Sequence, residues 1–399
     1  MRTRLVTGIS AMVVASAMIS ACGSNAGTGP EVTASSTPAP VSTTPTAATP
    51  TATAPSASAS TPGAATGSVT VSRTLAQGLN VPWGLARTGS GDLFVTSRDT
   101  GRITLINLAS GRTTAVGTVA QAVSNASSGG EAGLLGIALS PKFATDHQLF
   151  VYYSTASDNR ISRFTYTPTA AAGSRLSGQK VILSGIPQAV HHNGGQLAFG
   201  PDGMLYASTG DASESSRAQD RSDLGGKILR MTTDGKPAAG NPFSGSLVWT
   251  LGHRNVQGLA WDAGGRMWAS EFGDKTADEL NLIAKGRNYG WPDSEGRGST
   301  SGATDPVAQW GTEEDSPSGI AIAGGTVWMA ALKGERLWRI PLNGQRLVAR
   351  PADFLTEKYG RLRSVMALGD HTLLVTTSNT DGRQTPGSGD DRILMLTVR

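Results

Sequence analysis

From about residue 70 to the C-terminus, apolar and polar positions recur in one pattern: a short apolar strand, a Gly-rich turn, then a second strand with aromatic or β-branched residues. The pattern occurs six times. Trp83-Gly84-Leu85-Ala86 precedes Gly91-Asp92-Leu93-Phe94-Val95, and Leu135-Gly136-Ile137-Ala138 precedes Gln148-Leu149-Phe150-Val151-Tyr152. Gln196-Leu197-Ala198-Phe199 precedes Gly203-Met204-Leu205-Tyr206, and Gly258-Leu259-Ala260-Trp261 precedes Gly265-Arg266-Met267-Trp268. The last two pairs are Gly319 to Ile322 before Thr326 to Met329, and Ser364 to Ala367 before Thr372 to Val375. A third strand usually follows, as at Arg102 to Leu105, Arg160 to Phe164, Lys227 to Arg230, Arg336 to Arg339 and Arg392 to Met395. A spacing of roughly 45 to 60 residues is that of four-stranded propeller blades. Long 3.6-residue patterns are missing, which argues against alternating βαβ units.

The expectation is therefore an all-β fold over residues 68–399, a six-bladed β-propeller of four-stranded antiparallel blades. Ser68 to Leu75 is a strand candidate with no blade of its own. Closing the ring gives it a place as the outer strand of the last blade. The 51 glycines in 399 residues fit a fold with many tight turns.

The first 67 residues read differently. Arg2 and Arg4 precede an apolar stretch from Leu5 to Ile19, the pattern of a secretory signal over residues 1–21. Ile19-Ser20-Ala21-Cys22 looks like a bacterial lipobox, and Cys22 is the only cysteine of the chain. This predicts lipidation at Cys22 and an exported protein held to the outer side of the cell membrane by its lipid alone. Residues 23–67 are Thr, Ala, Ser, Pro and Gly with few large apolar side chains, so they lack the surface to offset ordering entropy. Extended, such a spacer reaches on the order of 100 Å at about 3 Å per residue.

A single cysteine excludes a disulfide framework or a Cys-rich zinc module. The 34 Lys and Arg against 30 Asp and Glu leave only a small basic excess with no basic run, so nucleic acid is not an expected partner.

Candidate chemistry gathers in the loops that enter and leave the strands. His191-His192-Asn193-Gly194-Gly195 opens the third repeat, where His192 is either a general base near neutral pH or a histidine held by loop hydrogen bonds. Arg254, one repeat on, presents a planar donor fork to an oxyanion or carboxylate, or serves a structural ion pair. Lys333 follows a strand of the fifth repeat, and Arg361 and Arg363 precede one of the sixth, two apart and so facing alike. Convergence of these cations would make a positive well suited to a small ligand with several carboxylates. Glu271-Phe272-Gly273-Asp274, with Asp278 and Glu279 beyond, offers hard oxygens for calcium or else an exposed acidic turn.

Taken together, these strings resemble the soluble aldose, or glucose/sorbosone, dehydrogenase family, six-bladed propellers that bind pyrroloquinoline quinone (PQQ) and calcium. The resemblance covers nearly all of residues 75–399. It rests on the run from Gly130 to Phe143, on His192 to Leu197, on Leu251 to Leu259, and on Glu279 to Ile283 with Asn288-Tyr289-Gly290-Trp291-Pro292. It implies that His192 takes the proton of the sugar's anomeric hydroxyl and that Arg254 stands beside the quinone oxygens. It also implies that Asn255, Lys333, Arg361 and Arg363 hold the cofactor's polar edge and carboxylates, and that the carbonyls of Gly273 and Asp274 coordinate its calcium. Three positions depart from the family pattern. Glu131 stands at a clamp position often occupied by glutamine, Asp274 replaces a proline, and His191 stands where the best-known members have an acid that orients the base.

The expected function is PQQ- and calcium-dependent oxidation of an aldose at its anomeric carbon to the lactone, with electrons leaving to an external acceptor. The rival expectation is a non-catalytic envelope propeller that binds a sugar or a protein partner. A propeller lactonase would need several inward carboxylates around a metal, and the inner strands do not carry that set.

Overall fold

The computed structural model describes residues 67–298 and 302–399. The expected signal, Cys22 and the spacer up to residue 66 lie outside the described residues.

Six antiparallel sheets form the blades, numbered here by their first strands: Pro82–Arg87, Leu134–Leu139, Leu197–Phe199, Val256–Trp261, Pro317–Ala323 and Leu362–Gly369. In each sheet the strands follow in chain order from this first strand outward, and the first strands of neighbouring blades pack against one another around the hub, except that the first strand of blade four meets the second strand of blade three. The sixth blade alone borrows a strand from elsewhere. Val69–Ala76 pairs antiparallel with Ile393–Val398, Val69 opposite Val398, and so completes the last blade with the start of the described chain. The fourth strands, mostly unread from the sequence, vary from the three residues of Ala308–Trp310 to the eleven of the largely exposed Leu176–Ile186. Blade five's outer edge is split into Arg346–Leu347 and Ala352–Phe354, with Pro351 between them. A proline has no N–H to give to the ladder, so pairing breaks there.

Both faces of each blade are buried, which is why the second strands read as continuous apolar runs. In Thr326–Ala331, Val327, Met329 and Ala331 face a core shared with blade four, whereas Trp328 and Ala330 face one shared with blade six. Leu93 and Val95 likewise join Leu75, Leu374 and Ile393 in the core that seals blade six to blade one. The recurrent glycine of the first strands has a packing cause. A Cβ at Gly136 would lie 2.3 Å from the carbonyl oxygen of Gly195, and one at Gly319 would lie 2.8 Å from Ser364 Cα, on the next blade in each case. Only a hydrogen lets adjacent blades meet so closely at the hub. Among the described residues no helix is long and apolar enough to cross a membrane.

Candidate active site

Residues just before the first strands and just after the second strands meet on one face of the ring. There they line a cavity of about 400 Å³ that brings together Glu131, Lys333, Arg361 and Arg363 with Trp83, Asn193, Gln257, Phe272 and Arg383. Three of the four cations expected at the hub therefore share one space, although they come from two blades.

Arg363 is the most constrained of them. It is buried, its guanidinium lies 5.6 Å from the Trp83 ring centroid, and it bonds only neutral oxygens: Gln257 Oε1 at 3.3 Å, Ser318 Oγ at 3.4 Å and Ser378 Oγ at 3.3 Å. Burial first, and then the charge of Arg98, pull its pKa down to about 9. Arg98 is itself buried and spends its charge on Asp99 at 2.6 Å. Arg361 is paired with Asp381 at 2.8 Å, and Lys333 with the exposed Glu313. Arg363 thus carries a charge that no carboxylate balances by direct contact. Glu131 leaves that task undone, because its carboxylate accepts the backbone N–H of His192 at 3.0 Å and an Arg383 N–H at 3.4 Å.

Arg254 does not line this cavity. It lies in an adjoining narrow cleft that shares Phe272, donating to Asp274 Oδ1 at 3.0 Å with its guanidinium 5.4 Å from the Trp291 ring centroid. The expectation of four cations facing one another is corrected to three, because the acid that stands in place of proline at 274 draws the fourth aside. Arg254 Nε and Asn255 Nδ2 are buried without a partner among the described residues. Asn255 Oδ1 meanwhile accepts from Gly194 N–H at 3.0 Å and Gln257 Nε2 at 3.1 Å, which fixes the His192–Gly194 segment from below.

His192 stands at the cavity edge in a left-handed conformation, φ 58°, with its neighbours Asn193 and Gly194 lining the cavity. Its Nδ1 lies 2.7 Å from Asp211 Oδ1. A carboxylate only accepts, so Nδ1 carries a proton, and in the neutral ring Nε2 is the nitrogen with the lone pair. Asp211 is in turn fixed by the Trp291 Nε1–H at 2.8 Å and the Ser213 N–H at 2.8 Å. The acid that orients His192 is thus Asp211, and His191 beside it is exposed. Asp211 follows a second strand, as Lys333 does in blade five. That positional equivalence is the signal in the sequence that could have found it. Arg98, Arg383 and Trp83 were also missed.

The acidic segment is not an exposed turn. Asp278 and Glu279 begin a buried strand. Burial pushes Asp278 up to about 6, and burial together with the neighbouring Glu271 charge raises Glu279 well above the usual carboxylate range. Glu271 accepts from His253 Nδ1 at 2.8 Å and from the Arg254 N–H at 2.6 Å, so His253 supports the Arg254 loop from inside. At Gly273 a Cβ would lie 2.0 Å from the Ala277 carbonyl oxygen, which makes glycine necessary in this turn. No N–H of the described residues donates to the carbonyls of Gly273 or Asp274. These two oxygens are free for a hard cation such as calcium, and Lys333, Arg361 and Arg363 in one cavity fit an anionic quinone, whereas the fully buried Asn255 does not line that cavity.

The comparisons with known proteins agree with this arrangement. A family model described as Glucose / Sorbosone dehydrogenase matches residues 79–387. The PQQ-bound form of aldose sugar dehydrogenase from Streptomyces coelicolor is 56% identical with a TM-score of 0.82, over 85% of this chain and 100% of that one. Quinoprotein glucose dehydrogenase B of Acinetobacter calcoaceticus is 30% identical over 289 residues, 63% of this chain and 59% of that protein's length. Aldose sugar dehydrogenase YliI of Escherichia coli K12 is 29% identical over 291 residues, 63% of this chain and 76% of that protein. The chain belongs to the glucose/sorbosone dehydrogenase family.

Proposed function

We propose that this protein is a PQQ- and calcium-dependent dehydrogenase that oxidises an aldose at its anomeric carbon to the lactone and hands the electrons to an external acceptor. The observation that carries the reading is Arg363, a buried guanidinium with no carboxylate in contact, beside Lys333 and Arg361 in one cavity. A buried cation left without a counter-charge is costly, and an anionic ligand offsets that cost.

When bound, PQQ supplies the two-electron acceptor for hydride from the anomeric carbon, with calcium as its Lewis acid. Lys333, Arg361 and Arg363 would hold the cofactor's carboxylates, Arg254 would stand beside its polar edge with Asn255 holding Gly194 and Gln257 of the cavity wall, and the Gly273 and Asp274 carbonyls would hold calcium. His192 Nε2 takes the proton of the anomeric hydroxyl as the carbonyl of the lactone forms, and later releases it to water. Asp211 stabilises the imidazolium and prevents the ring from turning, while Trp291 holds Asp211. Trp83, Phe272 and Leu332 give the cavity apolar walls that limit water around the reacting groups.

The test is dye reduction by the purified protein with added PQQ and calcium and a panel of aldoses. Sugar-dependent reduction that disappears in His192→Ala is expected. Tight PQQ binding without turnover would point to a degenerate dehydrogenase, and absence of PQQ binding would overturn the reading. We further propose that residues 68–399 act as one propeller tethered through lipidated Cys22. Mass spectrometry of the mature N-terminus tests this, with Cys22→Ala releasing the protein from membranes.

A further inference from the structure

The turn after the second strand of blade four is held in an unusual way. One carboxylate oxygen of Glu295 accepts four successive backbone N–H groups: Asp274 at 2.6 Å, Lys275 at 3.1 Å, Thr276 at 3.0 Å and Ala277 at 3.1 Å. The preceding Gly273 N–H donates to Asp278 Oδ1 at 2.8 Å. A trans peptide is planar, with its C=O pointing opposite to the N–H of the next residue. The Gly273 carbonyl therefore points away from the oxygen that receives Asp274 N–H, and the Asp274 carbonyl points away from the one that receives Lys275 N–H. Both free carbonyls are turned to the same side by a single acid. Glu295 reaches this turn from the long connection between Asp278–Ile283 and Ala308–Trp310, so a distant segment fixes it.

We propose that Glu295 is a positioning residue for the calcium site, holding the 273–277 amides so that the Gly273 and Asp274 carbonyls present a paired oxygen face to the cation. This rests on the calcium reading given above. A proline at 274 would restrict the turn by its ring, and a residue with an N–H there needs an acceptor. Glu295 is that acceptor. Its hold on the backbone leaves the Asp274 side chain free to bind Arg254.

The test measures calcium affinity by calorimetry on the full-length, PQQ-loaded protein, titrated with calcium chloride, alongside its melting temperature. Glu295→Ala is expected to weaken calcium binding by about tenfold or more, the range for loss of an outer-shell partner. Glu295→Gln keeps an acceptor oxygen and is expected to lose less. Adding Asp274→Pro to Glu295→Ala is expected to recover part of the affinity, because Asp274 N–H bonds only Glu295 and its backbone is not left-handed. A Glu295→Ala protein that melts lower yet binds calcium within twofold of wild type would overturn the proposal, as would no recovery with proline. If the wild-type protein itself takes up no calcium, the calcium reading fails first and the positioning role falls with it. Calcium binding by wild type with no change in the variants would overturn the positioning role alone.

Discussion

His192 Nδ1 and Asp211 Oδ1 lie 2.7 Å apart, although the two residues are 19 positions apart in the chain. The pairing fixes which ring nitrogen is left to accept a proton. In Asp211→Asn the amide can donate to Nδ1, which favours the tautomer with its proton on Nε2 and removes the base. Steady-state dye reduction is expected to show kcat lower by about a hundredfold or more, while PQQ affinity changes little. An unchanged kcat would show that the carboxylate does not serve the base.

Arg363 predicts an opposition between stability and binding. A cation whose folded-state pKa falls to about 9 disfavours folding at every pH below that value, and the cost is relieved only as pH rises through it. Arg363→Met keeps the volume and removes the charge. Without PQQ, thermal melts near neutral pH are expected to show a gain of roughly 1–3 kcal/mol. A clear loss of stability would mean that the guanidinium is well compensated in the empty cavity.

Asp315 makes a second prediction about pH. It is fully buried, accepts from Trp338 Nε1 at 3.1 Å, and has its other oxygen unpartnered. Burial, with the Asp278 carboxylate close by, raises its pKa well above the ordinary aspartate value. The folded protein therefore keeps a proton that the unfolded chain releases. The stability this confers is present at low pH and lost as pH rises through the raised value, at about 1.4 kcal/mol per pH unit between the two pKa values. Asp315→Asn cannot titrate. Urea unfolding from pH 5 to pH 8 is expected to favour the variant progressively, whereas parallel pH curves would contradict the assignment.

What the sequence revealed and what it hid have physical reasons. The blade count was legible because each second strand is buried on both faces and each first strand carries a small residue where the next blade presses on it, as at Gly136 and Gly319. The closing strand was legible because Val69–Ala76 had no partner nearby in the chain. The outer strands were not, since their half-exposed residues carry little pattern, as in Thr113–Thr118. Within the site, Lys333, Arg361 and Arg363 were found through their repeat positions. Asp211 and Glu295 were missed because an acid's role depends on whose N–H groups it receives, and most of those donors are distant in the chain: 18 to 21 positions for Glu295, and 19 and 80 for His192 and Trp291 at Asp211. Arg254 was located in the correct loop, but its direction is set by a side chain, Asp274, that the repeat does not specify.

The most direct test of the cationic cavity is an equilibrium titration of PQQ, with calcium present, into the wild-type protein and into Arg363→Met. Saturable binding of one PQQ per chain, weakened about a hundredfold or more by loss of the guanidinium, is the predicted result. Binding of equal strength in both proteins, or none in either, would contradict the account.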